Sequence, residues 1–179
     1  DSVKSRGLGD VYKRQKHNQN IYLTGELGLA RKGLEEIKKN CNKNIYRKKN
    51  VKRFIFPELR LEISNSISQF ASSCIDVSDG FIADLEKILI PSNQGAVIDL
   101  DEIPRIDKSS LEDFTFGDDL ELIFTADKKY HKKIMKLSDN SRINISLLGQ
   151  TKKNSGIKYL LNNDEVLFPR KKGWNHGKK

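Results

Sequence analysis

Four residues carry the first chemical signal: Asp76, Ser78, Asp79 and Gly80, within Cys74-Ile75-Asp76-Val77-Ser78-Asp79-Gly80-Phe81. Two carboxylates three positions apart suit Mg²⁺, which takes one or two carboxylates and completes its shell with phosphate or water. A turn joining a strand to a helix also offers backbone N–H groups and the positive end of a helix dipole, which suit phosphate. A Ser or Asp N-cap that merely starts a helix explains the same residues equally well. The second cluster is Gly117-Asp118-Asp119-Leu120-Glu121. Glu121 falls inside an apolar strand pattern, where a buried carboxylate requires a partner or a cation. Gly117 to Asp119 taken alone reads more readily as a solvated acidic loop. Asp99 and Asp101 sit at a strand end and read as a turn-forming pair. Trp174, the sole tryptophan, lies in a polar tail, either to stack on something flat or to tack the C-terminus down. His131 and His176 have no partner at metal-ligand spacing.

These residues need elements to hold them. Cys74 to Val77 ends a short buried strand, and helical spacing then takes over at Phe81, Ile82, Leu85, Ile88 and Leu89. Upstream, residues 21–25 predict a strand ending in a Gly turn, and 27–39 a helix with Leu34 and Ile37 inward. A charged connection spans about 40–56, and Pro57 opens a long amphipathic helix through Leu59, Ile63, Ile67 and Phe70. Downstream, residues 96–100 and 120–125 read as strands, 128–138 as a basic helix and 143–148 as a strand. A hairpin joins 157–161 to 166–168. Mixed strands and helices in this order predict an α/β (α+β) sandwich, with helices packed on a mixed sheet.

The net charge of +9 divides unevenly: +10 over residues 1–56, −6 over 57–169 and +5 over the last ten. Lys48, Lys49, Lys52 and Arg53 therefore read as a solvated loop rather than a nucleic-acid stripe. No run of apolar residues is long enough for a membrane span. Cys41 and Cys74 fit neither a disulfide framework nor a metal knuckle, which points to a reduced, cytoplasmic protein. Residues 1–19 lack apolar periodicity and read as a non-native or disordered leader, with 1–15 foreign to the rest of the chain. The absence of an initiator Met makes a fragment the expectation.

The order of these segments resembles that of the thiamine-monophosphate kinase family. The match runs through Ile21-Tyr22-Leu23-Thr24-Gly25, Cys74 to Leu85, Gly95 to Asp99, Phe116 to Thr125, Leu148-Gly149-Gln150 and Lys172-Gly173-Trp174-Asn175-His176. Aminoimidazole ribonucleotide synthetase and selenophosphate synthetase share the Asp-x-Ser-Asp-Gly turn, while the Glu121 strand and the terminal Gly-Trp-x-His narrow the match. The resemblance implies a PurM-like C-terminal domain over residues 20–179, the ATP- and Mg²⁺-binding N-terminal domain being absent from this chain. It implies Mg²⁺-assisted transfer of the ATP γ-phosphoryl group to thiamine monophosphate, and a homodimer formed through the missing domain. By resemblance, Asp76 and Asp79 are Mg²⁺ ligands, Ser78 contacts the nucleotide, Asp118 touches the substrate and Trp174 stacks on thiamine. The family's Gly-Gly-Glu-Asp-Tyr reads Phe116-Gly117-Asp118-Asp119-Leu120 here, so Asp118 is one methylene shorter and the Tyr is lost. Two alternatives remain: another ATP-dependent synthetase of the same superfamily, and a non-catalytic binding module.

Overall fold

A computed structural model describes residues 17–39, 43–107, 110–153 and 156–168. Seven strands form one sheet in the order β2-β4-β1-β5-β3-β6-β7. These are β1 (Asn20–Thr24), β2 (Ala71–Asp76), β3 (Gln94–Asp99), β4 (Leu122–Ala126), β5 (Ile145–Lys153), β6 (Ile157–Leu161) and β7 (Asp164–Val166). Of the paired strands only β3 and β6 run parallel, so the sheet is mixed. Among the described residues there are five α-helices, α1 (Leu29–Lys39), α2 (Lys49–Ile55), α3 (Leu61–Ser68), α4 (Phe81–Leu89) and α5 (His131–Ser141); α3, α4 and α5 pack on the sheet, and α1 and α2 on each other. Among the described residues, no helix is long and apolar enough to cross a membrane.

Alternation along the central strands splits the core in two. Ile21 and Leu23 of β1 and Ile123 of β4 face α4, whose Phe81, Ile82, Leu85, Ile88 and Leu89 are all fully buried. Tyr22 and Phe124 point the other way, stacked with centroids 5.1 Å apart, against Ile63 and Ile67 of α3 and Ile134 of α5. With both faces covered, β1 is buried at every position. The thiol of Cys74 joins the second cluster, and burial raises its pKa to about 11, which leaves it protonated and inert. His131 stacks on Tyr22 and bonds its hydroxyl through Nδ1 at 3.1 Å, a structural role.

Several boundaries differ from expectation. The helix anticipated from Pro57 begins at Leu61; residues 57–60 are irregular and end in a turn at Arg60, whose guanidinium reaches Glu121. The segment read as a solvated loop instead folds: a 3-10 turn (Lys43–Arg47) leads into α2, which buries Asn50, Val51 and Arg53 against α1. Its sequence carries too few apolar residues to signal a packed helix. Asn18 and Gln19, expected in a leader, already belong to the sheet margin: Asn18 N–H donates to the Thr151 carbonyl at 3.1 Å and Gln19 N–H to Thr151 Oγ1 at 2.9 Å. The hairpin turns on Asn162 and Asn163, both left-handed at φ 51° and 67°, as a tight two-residue loop requires. Asp101 N–H donates to Asp99 Oδ1 at 3.0 Å, the turn expected of that pair.

The contact between α1 and α2 is set by Gly33, where a Cβ would lie 2.3 Å from the Asn50 carbonyl oxygen and 2.8 Å from Phe54 Cβ. Ala is the better helix former by about 1 kcal/mol, but the clash is with backbone and costs roughly 1–3 kcal/mol as overpacking. Gly33→Ala is therefore expected to destabilise the protein on balance, seen as a lower urea midpoint; an unchanged or higher midpoint would contradict the close approach.

Candidate active site

The two acidic clusters meet at one end of the sheet. β2 and β4 are antiparallel neighbours, with Asp76 opposite Leu122, so the turn after β2 and the segment before β4 lie side by side. Their backbones continue the ladder: Val77 N–H donates to the Glu121 carbonyl at 2.8 Å, Leu120 N–H to Val77 at 3.0 Å and Asp118 N–H to Ser78 at 3.2 Å. Gly117 permits this, since a Cβ there would fall 1.9 Å from the Ser78 carbonyl oxygen. Asp76 and Asp118 are exposed on this rim, and Ser78 and Asp79 are half-buried. Trp174 lies outside the described residues.

Each carboxylate of the second cluster has a different task. Asp119 is fully buried and accepts the N–H groups of Gly28 at 2.7 Å and Ala30 at 2.9 Å, capping the start of α1. Glu121, 1% exposed, accepts from Thr24 Oγ1 at 2.7 Å, Arg53 Nη2 at 2.6 Å and Arg60 Nε at 2.7 Å, with Arg60 Nη2 also on Oε1. The partner that its place in an apolar strand demanded is thus a pair of guanidiniums. Between these two anchored side chains Leu120 is forced to φ 52°, a left-handed conformation that costs an L-residue roughly 1–2 kcal/mol. Asp118 takes φ 66°, which Asp tolerates better. The acidic loop expected here is therefore solvated at Asp118 alone.

The turn at 76–80 is not an open nest of N–H groups, as the sequence suggested. Asp84 Oδ2 accepts the N–H groups of Ser78 and Asp79 at 2.9 Å and of Gly80 at 3.2 Å. Lys87 Nζ binds Asp84 Oδ1 at 2.6 Å and also pairs with Asp79. The Lys87 ammonium is held above its usual pKa by these two carboxylates, although burial opposes them. Asp84 is not among the residues singled out from sequence, yet it leaves a signal there. It is a carboxylate three residues after Phe81 and four before Ile88, inside the apolar stripe of α4. Such a group can be buried only with donors waiting for it.

The donor set fits one mode of Mg²⁺ binding. Asp76 and Asp79 provide two carboxylates at one turn, enough for an ion that takes the rest of its shell from phosphate and water. An all-protein cage does not fit, since among the described residues no three His, Cys, Asp or Glu side chains are grouped to hold a metal.

Comparison with known proteins adds a second line of observation. No family model matches the chain. Thiamine-monophosphate kinase of Buchnera aphidicola from Acyrthosiphon pisum is 35% identical over 170 residues, covering 87% of this chain and 52% of the relative. That of Leptospira interrogans is 31% identical over 157 residues, covering 83% and 49%. The chain spans about half the length of the curated relatives it matches. A thiamine-monophosphate kinase structure from Stenotrophomonas maltophilia superposes with TM-score 0.72 at 23% identity, covering 87% of this chain and 53% of that one. AaThiL complexed with AMPPCP and TMP gives 0.72 at 21% identity, with 92% and 53% covered. Thermotoga maritima PurL complexed with ATP gives 0.62 at 14%, covering 87% and 25%. The fold is therefore the PurM-like α+β fold, and the curated homologues of the chain are thiamine-monophosphate kinases.

Two consequences of the buried carboxylates are measurable. Removing Glu121 strands Arg53 without its anion, so Glu121→Ala is expected to cost about 3–5 kcal/mol, against a smaller loss for Arg60→Ala at the more exposed arm. Chemical denaturation of the two variants reads the order, and equal small losses would exclude a buried network. Burial raises the Asp119 pKa to about 6, against the opposing pull of the Ala30 and Gly28 N–H groups. The folded state then holds this proton more tightly than the unfolded chain, so the group's contribution to stability is greatest at low pH and lost as pH rises through about 6. The stability of the native protein relative to Asp119→Asn should accordingly fall between pH 4 and pH 7; a difference that grows over that range would reverse the sign.

Proposed function

We propose that this chain is the C-terminal domain of a thiamine-monophosphate kinase, over residues 20–179, acting in the cytoplasm in a dimeric enzyme. The reaction is in-line transfer of the ATP γ-phosphoryl group to thiamine monophosphate, giving thiamine diphosphate. The observation that carries this reading is the union of Asp76, Ser78 and Asp79 with Asp118 on one rim. It occurs in a chain whose relatives of that name are 31–35% identical along most of its length. Phosphoryl transfer asks a protein mainly to position two anions and offset their charge, and a rim of this kind is built to position.

In this reading Asp76 and Asp79 hold Mg²⁺, which when bound neutralises charge on the transferred phosphoryl group. Ser78 contacts the nucleotide. Its amide and that of Asp79 are already taken by Asp84, so these two N–H groups serve to fix the turn rather than to bind phosphate. Lys87 pairs with Asp79 and orients it until ligand arrives. Asp118, on its left-handed turn, faces the substrate side, and Trp174 supplies the flat surface for thiamine. The matched stretch covers 52% of the Buchnera relative, and in this reading the rest of such a longer chain supplies the remaining carboxylates.

The intact protein assayed with ATP, Mg²⁺ and thiamine monophosphate is expected to form thiamine diphosphate. Asp79→Asn should lower kcat by about 100-fold or more, as loss of transition-state charge stabilisation does. Trp174→Ala should mainly raise KM for thiamine monophosphate, by roughly tenfold. A folded protein that makes no thiamine diphosphate sinks the substrate assignment.

A further inference from the structure

A second concavity lies beside the rim. It is a cleft of about 670 Å³ between the Gly25 turn, α2, the irregular residues 56–60 and the loop 142–144. Six cations line it against three carboxylates. Three of the cations and all three acids offset one another in place. Arg53 and Arg60 are held by Glu121 and reach Glu58 at 3.5 and 3.3 Å, and Lys49 stands 3.9 Å from Glu26. Arg47, Lys52 and Arg142 are left over, all exposed and in no ion pair with any described residue.

Arg142 is held in this position at a cost. It ends α5 at φ 58°, a conformation in which a helix terminus usually has Gly or Asn. The loop is pinned in turn, because Gly25 N–H donates to the Asn144 carbonyl at 2.8 Å. Three exposed cations lining one cleft give it a positive potential, which favours an anion between them. The volume falls in the range of small-molecule sites rather than of a nucleic-acid groove. Phe56, 77% exposed, and Leu29 add an apolar wall.

We propose that this cleft binds the phosphate or pyrophosphate group of a small molecule, through Arg47, Lys52 and Arg142. The site is separate from the carboxylate turn and involves no metal, so it stands or falls independently of the thiamine reading. The Glu121 network is its floor: by tying Arg53 of α2 to Arg60, it fixes the backbone that carries Lys52.

The test is calorimetric titration of the chain with inorganic pyrophosphate, without divalent cations and at low salt. Binding is expected, and Arg142→Gly, which suits the backbone, and Lys52→Gln should each weaken it about three- to tenfold. Lys133→Gln, on α5 outside the cleft, should leave it within about twofold. No binding by a folded chain, or equal losses in all three variants, overturns the proposal. So does a single-stranded oligonucleotide that binds more tightly than pyrophosphate through the same residues, since that would make the cleft part of a nucleic-acid surface. Circular dichroism and thermal melts confirm that each variant remains folded. Loss of thiamine-monophosphate kinase activity is not a readout here.

Discussion

The ion cluster at Glu121 is the constraint on which the rest depends. One buried carboxylate receives a hydroxyl from the end of β1, a guanidinium from α2 and another from residue 60. A carboxylate so enclosed has no tolerable unpaired state. The segment 43–60, polar and otherwise without a strong apolar face, is thus compelled to fold over the sheet end. Gly25 completes the fit: it is left-handed at φ 63°, and a Cβ there would fall within 2.1 Å of the Glu121 carboxylate. Thr24-Gly25 and Glu121 are distant in sequence but form one structural unit.

From that unit the rim is built outward by a relay of backbone bonds. With Glu121 and Asp119 both fixed inward, Leu120 is strained and Asp118 is turned out toward Ser78. The turn at 76–80 is fixed from the opposite side by Asp84 and Lys87. The exposed carboxylates therefore rest on a buried second set, and the buried set does the positioning. An active site placed on rigid neighbours in this way holds its groups where a ligand needs them.

The contrast between the carboxylate turn and the separate cleft beside it is electrostatic. The turn carries exposed Asp76 beside Asp118, whereas the cleft carries Arg47, Lys52 and Arg142, in no ion pair with any described residue. Both flank Glu121, which lines the floor of the cleft with its charge already matched by Arg53 and Arg60. A buried, neutralised ion cluster between regions of opposite sign lets each keep its own field at close quarters.

Elements with a strong period are legible in the residues alone. The five buried positions of α4, the alternation of Ile21, Tyr22 and Leu23, and the strand at β4 can be read because burial leaves a repeat. The need of Glu121 for a partner is equally legible. Which charges are paired is settled only in three dimensions. Arg53 looks like a solvated cation and is buried; Asp84 looks like a helix acid and closes the nest of N–H groups; Asp118 and Asp119 are adjacent and have opposite fates. The reason is physical: apolar burial follows from local period, whereas the energy of a charge depends on what lies within a few ångströms of it, and for Glu121 those partners are 61 to 97 positions away in the chain.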